Sequence, residues 1–175
     1  MKVVRLVVTG PVGAGKSTFV QNISDVEAVD TERPVTDKAA CLKETITVAM
    51  DFGRVSLNPQ TVLHLYGTPG QSRFDFMWDI LIKDAHAYIL LVPSHLPSEF
   101  SNAKFILDFM QQRTTIPMII GLTHRDRKDA WGAVSIAIAL GVVTRQEVCL
   151  IIEVNPTDKR SIGKAIETVL SQPRA

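Results

Sequence analysis

The chain has 175 residues, of which 46% are hydrophobic, and carries 19 Lys plus Arg against 18 Asp plus Glu. A chain of this length can bury about 70% of its unfolded surface around one core, so we expect a single domain over residues 1–175. The net charge of +1 excludes a strong overall field for nucleic acid or anionic membranes, so an anionic ligand needs a local site. The sequence has no signal-peptide pattern, no apolar run near the roughly 20 residues of a membrane span, and two cysteines outside any metal-ligand spacing. We therefore expect a cytoplasmic protein.

Short apolar runs alternate with segments of helical spacing, which is typical of a mostly parallel sheet with helices on both faces. Only Asn58 to Gln60 separate the second and third strands, so these two should form one antiparallel hairpin. The segment Ser24–Glu44 fits no element and is predicted to be a functional loop. The six predicted strands are Val3–Val8, Thr47–Leu57, Thr61–Tyr66, Ala87–Val92, Met118–Leu122 and Val148–Val154. The predicted helices are Lys16–Asn22, Phe74–Lys83, Glu99–Gln112, Ala130–Leu140 and Ile162–Leu170.

A complete G-x-x-x-x-G-K-[ST] motif follows the first strand directly. Glycines let the loop curl so that successive N–H groups point inward, and the next helix adds the positive end of its dipole. In such a loop the Lys16 ammonium lies on the β and γ phosphates, and the Ser17 hydroxyl can bind Mg²⁺. The motif predicts a three-layer α/β P-loop NTPase fold that binds a nucleoside triphosphate. The predicted binding residues are Gly10, Gly13, Ala14, Gly15, Lys16, Ser17 and Thr18.

The segment Tyr66-Gly67-Thr68-Pro69-Gly70-Gln71 follows the third strand and resembles the D-x-x-G-Q segment of Ras-like GTPases. In order, spacing and elements, the whole chain resembles a small Ras-superfamily GTPase. The x-P-G-Q form and the Thr-Val-Ala-Met-Asp-Phe-Gly strand most resemble the bacterial branch of Mgl-type and related conserved-operon GTPases. The resemblance implies that Gly70 bonds the γ phosphate, that Gln71 positions the attacking water, and that Lys16 completes the catalytic set.

The same resemblance implies a Mg²⁺ site made by Ser17 and a switch threonine. Thr47 matches that threonine, and Thr45 is a rival because both hydroxyls lie on the same side of a strand. Gly67 stands where the family has its Walker-B aspartate, so the usual carboxylate near the metal is missing. Asp51 or a carboxylate of the Ser24–Glu44 loop could substitute for it through water.

The purine base should be bound by two segments. Leu122-Thr123-His124-Arg125-Asp126 resembles N-K-x-D, with Thr123 for Asn and His124 for Lys. A carboxylate at Asp126 accepts from both guanine N1–H and N2–H₂, which favours guanine over adenine. Glu153-Val154-Asn155-Pro156-Thr157 is in register with E-T-S-A-K, which implies nucleotide contacts by Asn155, Pro156 and Thr157. Because Pro156 has no N–H for guanine O6, that contact is lost or passes to the Thr157 N–H, and base discrimination should weaken.

Further departures concern the rate of hydrolysis. Val12 should crowd Gln71 and any arginine supplied by a partner, so unaided hydrolysis should be slow. Arg54 and Arg73 lie near the switches and are either arginines acting in cis or ordinary surface residues. His64, His86 and His95 have no partners at catalytic or metal-ligand spacing, so core-edge or surface positions are expected.

The leading hypothesis is a GTP-binding switch that binds GTP or GDP with Mg²⁺ and changes its Ser24–Glu44 and Gly67–Lys83 segments between states. The resemblance implies a Roadblock-type regulatory protein as partner. One alternative is a pseudo-GTPase interaction module with negligible hydrolysis, and another is a P-loop ATPase of relaxed base specificity. A cluster of apolar side chains after Gln71 is a predicted partner surface, formed by Phe74, Phe76, Met77 and Trp78.

Overall fold

A computed structural model describes residues 1–25, 29–30, 50–143 and 149–174. Its strands are β1 (Lys2–Thr9), β2 (Val29–Asp30), β3 (Asp51–Asn58), β4 (Thr61–Gly67), β5 (Ala87–Pro93), β6 (Met118–Thr123) and β7 (Leu150–Glu153). Its α-helices are α1 (Lys16–Ile23), α2 (Asp75–Lys83), α3 (Phe100–Arg113), α4 (Ala133–Ala139) and α5 (Lys159–Leu170). Short 3₁₀ helices at Ser72–Phe74 and Pro97–Glu99 precede α2 and α3.

The strands form one sheet in the order β2-β3-β4-β1-β5-β6-β7. The predicted hairpin is confirmed, because β3 pairs antiparallel with β4 while β1, β4, β5, β6 and β7 run parallel. The predicted sheet of six strands gains a seventh, β2, whose two residues are too few to show a hydrophobic period. The start of the predicted second strand, residues 47–49, and Val148 of the last lie outside the described residues.

Alternation along β1 divides the core into two layers. Leu6 and Val8 pack with Phe19 of α1 and Ile162 of α5 on one face of the sheet. Val7 points to the other face, where side chains of α2, α3 and α4 cover it. The predicted three-layer α/β fold is confirmed, and no helix among the described residues is long and apolar enough to cross a membrane.

The sheet topology fixes where a ligand can bind. Strand β1 lies between β4 and β5 and is parallel to both. In open α/β sheets, ligands bind beyond the carboxyl ends of the strands, where chain connections leave for opposite faces. The loop after β1, the turn after β4 and the segments after β5, β6 and β7 all lie at this edge.

Two glycines give a test of the packing on the α5 side. A Cβ added to Gly121 in β6 would lie 2.8 Å from Val154 Cγ2 and 2.9 Å from Leu91 Cδ2, whereas one added to Gly163 in α5 would meet nothing within 4 Å. We expect Gly121→Ala to lower the free energy of unfolding by about 1–3 kcal/mol through overpacking. Gly163→Ala should raise it by about 0.5–1 kcal/mol because alanine loses less backbone entropy in a helix. Urea unfolding measures both, and equal shifts in the same direction would contradict this account.

Candidate functional site

The loop between β1 and α1 has the curled backbone that the motif predicts. Gly13 and Gly15 have φ of 80° and 95°, the left-handed region that glycine adopts without strain. At Gly15 a Cβ would also lie 2.9 Å from Pro156 Cγ, so the loop packs directly on the segment after β7. Helix α1 begins at Lys16, and its first N–H groups and dipole favour an anion at this loop.

The Lys16 ammonium is turned into the loop. Its Nζ donates to the carbonyl oxygens of Gly10 at 2.7 Å and Pro11 at 2.8 Å. Burial lowers the pKa of Lys16 to about 8, against the opposing charges of Asp51 and Glu99. A polyphosphate beside Nζ would favour the charged ammonium and raise this pKa again.

The Ser17 hydroxyl donates to Asp51 Oδ2 at 2.5 Å. Asp51 is the first residue of β3 and pairs with Gly67, the last residue of β4. A Cβ on Gly67 would lie 3.1 Å from Asp51 Cβ and 3.3 Å from Oδ2. The carboxylate from β3 therefore fills the space beside the end of β4, where the resembled family has its own aspartate.

This pair of side chains fits a divalent cation of the magnesium type. Hydroxyl and carboxylate oxygens are the hard donors that Mg²⁺ prefers, and Mg²⁺ is usually held by one or two carboxylates together with substrate phosphates. The described residues contain no group of three or more His, Cys, Asp or Glu side chains that could hold a metal ion. Nucleotide phosphates would therefore have to supply further ligands. Thr47 and its rival Thr45 lie outside the described residues, so the switch threonine stays a prediction.

The turn after β4 lies against the phosphate loop. Thr68 Oγ1 donates to Thr9 Oγ1 at 2.8 Å, and Trp78 Nε1 donates to Pro69 O at 2.8 Å. A Cβ on Gly70 would lie 2.6 Å from the Val12 nitrogen, so only glycine permits this approach. Within the predicted partner surface after Gln71, Phe74 and Trp78 are buried and anchor the turn from inside, whereas Phe76 and Met77 are half-buried.

The loop and the turn line one open cavity of about 510 Å³. It brings together the predicted catalytic residues Lys16, Gly70 and Gln71 with the Ser17–Asp51 pair. Its lining is Val12, Gly13, Gly15, Lys16, Ser17, Thr18, Asp51, Thr68, Pro69, Gly70, Gln71, Arg73 and Phe74.

Thr123 and His124, at the end of β6, are tied to the same loop. Thr123 is fully buried, and its Oγ1 donates to Ala14 O at 2.8 Å, so it braces the loop. His124 has φ of 57°, and its Nε2 lies 3.1 Å from Gly13 O. Because a carbonyl can only accept, Nε2 carries the proton in this contact. His124 thus joins the base segment to the loop.

The segment after β7 uses its own donors internally. The Thr157 N–H and hydroxyl both donate to Asn155 Oδ1, at 3.0 Å and 2.6 Å. Pro156 has no N–H, and its carbonyl accepts from Asn22 Nδ2 at 2.8 Å. The N–H of Thr157, predicted as a substitute donor to guanine O6, is therefore already engaged.

Asp126 does not line the cavity that contains Lys16. With His124 and Asn155 it lines a neighbouring cavity of about 530 Å³. His124 connects the two, because it lines the second cavity and contacts Gly13, which lines the first. The predicted phosphate and base residues thus form adjoining sites. The remaining lining of the second cavity is Arg125, Glu153, Val154, Asp158, Arg160, Ser161 and Lys164.

His95, expected at a core edge or on the surface, packs against the base-segment residue His124 and lines neither of the two cavities. Its ring centroid lies 4.2 Å from that of His124, and its Nδ1 is buried without a hydrogen-bond partner. Burial, helped by the charges of His124 and Arg127, lowers the pKa of His95 and favours the neutral ring. The available signal was its position just after β5, at the same carboxyl edge as the two motifs.

Comparisons with known proteins agree with this geometry. The Arl6 BBS3 small GTPase from Trypanosoma brucei, solved with the bound nucleotide analogue GppNp, superposes with a TM-score of 0.72 over 97% of this chain and 96% of that one. At 13% identity the likeness shows a Ras-like GTPase fold. The uncharacterized protein MJ1339 of Methanocaldococcus jannaschii is 30% identical over 89 residues, which are 51% of this chain. The match spans only half of that relative's length.

A family model described as "Conserved hypothetical ATP binding protein" matches residues 25–174. The matched region begins after the phosphate loop, so the family match and the loop motif are separate observations. Fold and family together support nucleotide binding. Because the match covers most of the sequence, the chain belongs to this family of conserved hypothetical ATP binding proteins.

Proposed function

We propose that this protein is a small Ras-like GTP-binding switch that binds GTP or GDP with Mg²⁺ and hydrolyses GTP slowly. The observation that carries the proposal is the single cavity lined by Lys16, by the hydrogen-bonded Ser17 and Asp51, and by Gln71. Those side chains are a cation for the phosphates, two oxygen groups for a divalent cation, and an amide that can orient water.

Each group has a separate task. The loop N–H groups and the Lys16 ammonium hold the β and γ phosphates, while Gly70 presents backbone to the γ phosphate. Gln71 is exposed at the cavity and can hold a water for attack on the γ phosphorus. Mg²⁺, when bound at Ser17 and near Asp51, would neutralise charge on the phosphate oxygens.

GTP is the proposed nucleotide because Asp126 matches guanine better than adenine. A carboxylate offers acceptors to guanine N1–H and N2–H₂, whereas adenine N1 is itself an acceptor. Two observations favour ATP as the second candidate, namely the description of the family as ATP binding and the lack of a free N–H at Pro156–Thr157. The engaged Thr157 N–H supports the expectation of weakened base discrimination under either candidate.

The remaining predictions belong to the same proposal. A Roadblock-type regulator would accelerate hydrolysis, and the Mgl-type branch and a cytoplasmic location stay predictions. A pseudo-GTPase module with negligible hydrolysis is distinguished by multiple-turnover phosphate release with and without such a regulator.

Gln71→Ala should lower any measurable hydrolysis rate, since water would lose its orienting amide.

Competition for labelled GDP tests which base the site reads. GTP should compete well and ATP poorly. Asp126→Asn should weaken GDP binding roughly 10- to 100-fold, because a charge-assisted pair of hydrogen bonds is lost. The asparagine amide can donate to the C2 carbonyl of xanthine, so this variant should gain affinity for XDP.

The matched control for that experiment is Asp129→Asn. Asp129 is exposed and pairs with Arg127, so its neutralisation should leave the preference unchanged. Equal competition by ATP and GTP, with Asp126→Asn silent, would favour the ATP-binding candidate. Failure of every nucleotide to bind would refute the proposed function itself.

The Asp51 carboxylate gives a second test, through Mg²⁺ dependence. Asp51→Asn should raise the Mg²⁺ concentration needed for tight GTP binding by about 10-fold or more, which is typical for loss of a group supporting a metal ligand. The double variant Asp51→Gly with Gly67→Asp moves the carboxylate from β3 back to the end of β4. In this double variant, the Mg²⁺ concentration needed for tight GTP binding should return part of the way to that of the unmodified protein. An unchanged Mg²⁺ titration in Asp51→Asn would show that the carboxylate has no such role.

The lowered pKa of Lys16 predicts a pH-dependent affinity for nucleoside diphosphates. Binding favours the ammonium, and the free protein loses that proton as pH rises through about 8. Affinity should therefore fall with rising pH, roughly fourfold between about pH 7 and about pH 8.5. Calorimetry in two buffers of different ionisation enthalpy should detect proton uptake at the higher pH. Lys83→Met, a lysine outside the cavity lining, is the control, and a flat profile for the unmodified protein would contradict the prediction.

A further inference from the structure

Arg73 is the second cationic side chain at the phosphate cavity. It follows Gln71 by two positions, in the 3₁₀ helix Ser72–Phe74, and lines the cavity together with Lys16, Gly70 and Gln71. The Lys16 ammonium lies within the phosphate loop and donates to the carbonyls of Gly10 and Pro11. Arg73 lines the cavity from the turn that carries Gln71. The two cations therefore lie on different walls of one site.

The neighbours of Arg73 hold its side chain and leave its charge available. The guanidinium carbon lies 4.7 Å from the centroid of the Phe74 ring, a stacking contact, and Phe74 is itself buried. The Phe74 N–H donates to Gln71 O at 3.0 Å, so the short helix is fixed to the turn that carries Gln71. In the part of the chain that the structure describes, the salt bridges of arginines are those of Arg113, Arg125 and Arg127. Arg73 thus retains its donors for an anionic ligand.

Hydrolysis of a triphosphate makes use of such a group. The loose transition state spreads negative charge over the γ-phosphoryl oxygens, and the planar fork of a guanidinium can donate to two of them. Lys16 supplies one ammonium from the loop, and Arg73 is the other cationic side chain among the described residues that line the cavity. An arginine stays charged throughout the accessible pH range.

The two alternative sources of an arginine are less well placed. Arg54 belongs to β3 and lies opposite His64 of β4, and it is not among the residues that line the cavity. An arginine from a partner would have to enter past Val12, which lines the cavity and has 52% of its surface exposed. Arg73 enters from the chain itself, on the Gln71 side.

We propose that Arg73 is a catalytic residue that stabilises the γ-phosphoryl group in cis during nucleotide hydrolysis. This inference rests on the proposed function. In the reaction, the water oxygen forms a bond to the γ phosphorus while the bond from that phosphorus to the β–γ bridging oxygen breaks. The bridging oxygen leaves with the electron pair as nucleoside diphosphate, and the proton of the water passes to the phosphate product. Arg73 donates hydrogen bonds throughout and exchanges no proton.

Single-turnover phosphate release and nucleotide affinity, measured on the same variants, test this role. Arg73→Ala should lower the hydrolysis rate by about 1,000-fold or more, the order found for arginines of this kind, with less than about a threefold change in GTP affinity. Arg73→Lys should retain an intermediate rate, since it keeps the charge and loses the fork. Arg54→Ala is the matched control and should hydrolyse as the unmodified protein does.

Aluminium fluoride gives a readout independent of turnover. The diphosphate-bound protein should capture AlF₄⁻ without a partner, because the transition-state cation is already present, and Arg73→Ala should not. An unchanged rate in Arg73→Ala, or losses of rate and affinity in equal proportion, would overturn the proposal. Nucleotide binding with no AlF₄⁻ capture by the unmodified protein would overturn it and leave nucleotide binding intact. Absence of any nucleotide binding would instead remove the proposed function, and this role with it.

Discussion

The hydrogen bond between the Ser17 hydroxyl and the Asp51 carboxylate joins the two halves of the phosphate site. Ser17 belongs to the first turn of α1, and Asp51 begins the strand that runs antiparallel to β4. A carboxylate and a hydroxyl in contact at this edge of the sheet make one acidic, oxygen-rich corner beside a buried ammonium. Removal of the Ser17 hydroxyl would leave the buried Asp51 carboxylate with an unmet hydrogen bond, which is costly.

The position of Asp51 explains why residue 67 is a glycine. A side chain at the end of β4 would press on Asp51, with its Cβ only 3.1 Å from the Asp51 Cβ. Two carboxylates at this place would also repel each other. In the sequence, Gly67 indicates that the usual aspartate is missing. In the structure, the absence of a side chain at Gly67 leaves room for the Asp51 carboxylate of the neighbouring strand.

The sequence predicted the fold and the phosphate loop because both depend on local patterns. Apolar runs locate β1 and β4 to within a residue or so, and the loop glycines require their positive φ whatever surrounds them. The contacts of Asp51 and His95 could not be read in this way, since each depends on which strand ends become neighbours. The burial of Trp78 within the predicted partner surface could not be read either, because its indole N–H turns inward to Pro69. Spacing along the chain does not state which side of a helix the sheet will cover.

The predicted base segments leave fewer polar groups available to a ligand than the phosphate site does. The hydrogen bonds of these segments are made within the protein. Thr123 donates to Ala14 O, and Thr157 donates to Asn155 Oδ1. Under the proposed function, recognition of the base would fall mainly to one exposed carboxylate, Asp126, and to the His124 ring near the loop. A lone carboxylate would act mainly by disfavouring adenine, because adenine N1 would place a second acceptor opposite it. Guanine would gain no further hydrogen bond at O6, since neither Pro156 nor Thr157 has a free N–H to donate. If the proposal holds, affinity in such a site would come mostly from the phosphates, and selectivity between purines would be set by the desolvation and pairing of the Asp126 side chain.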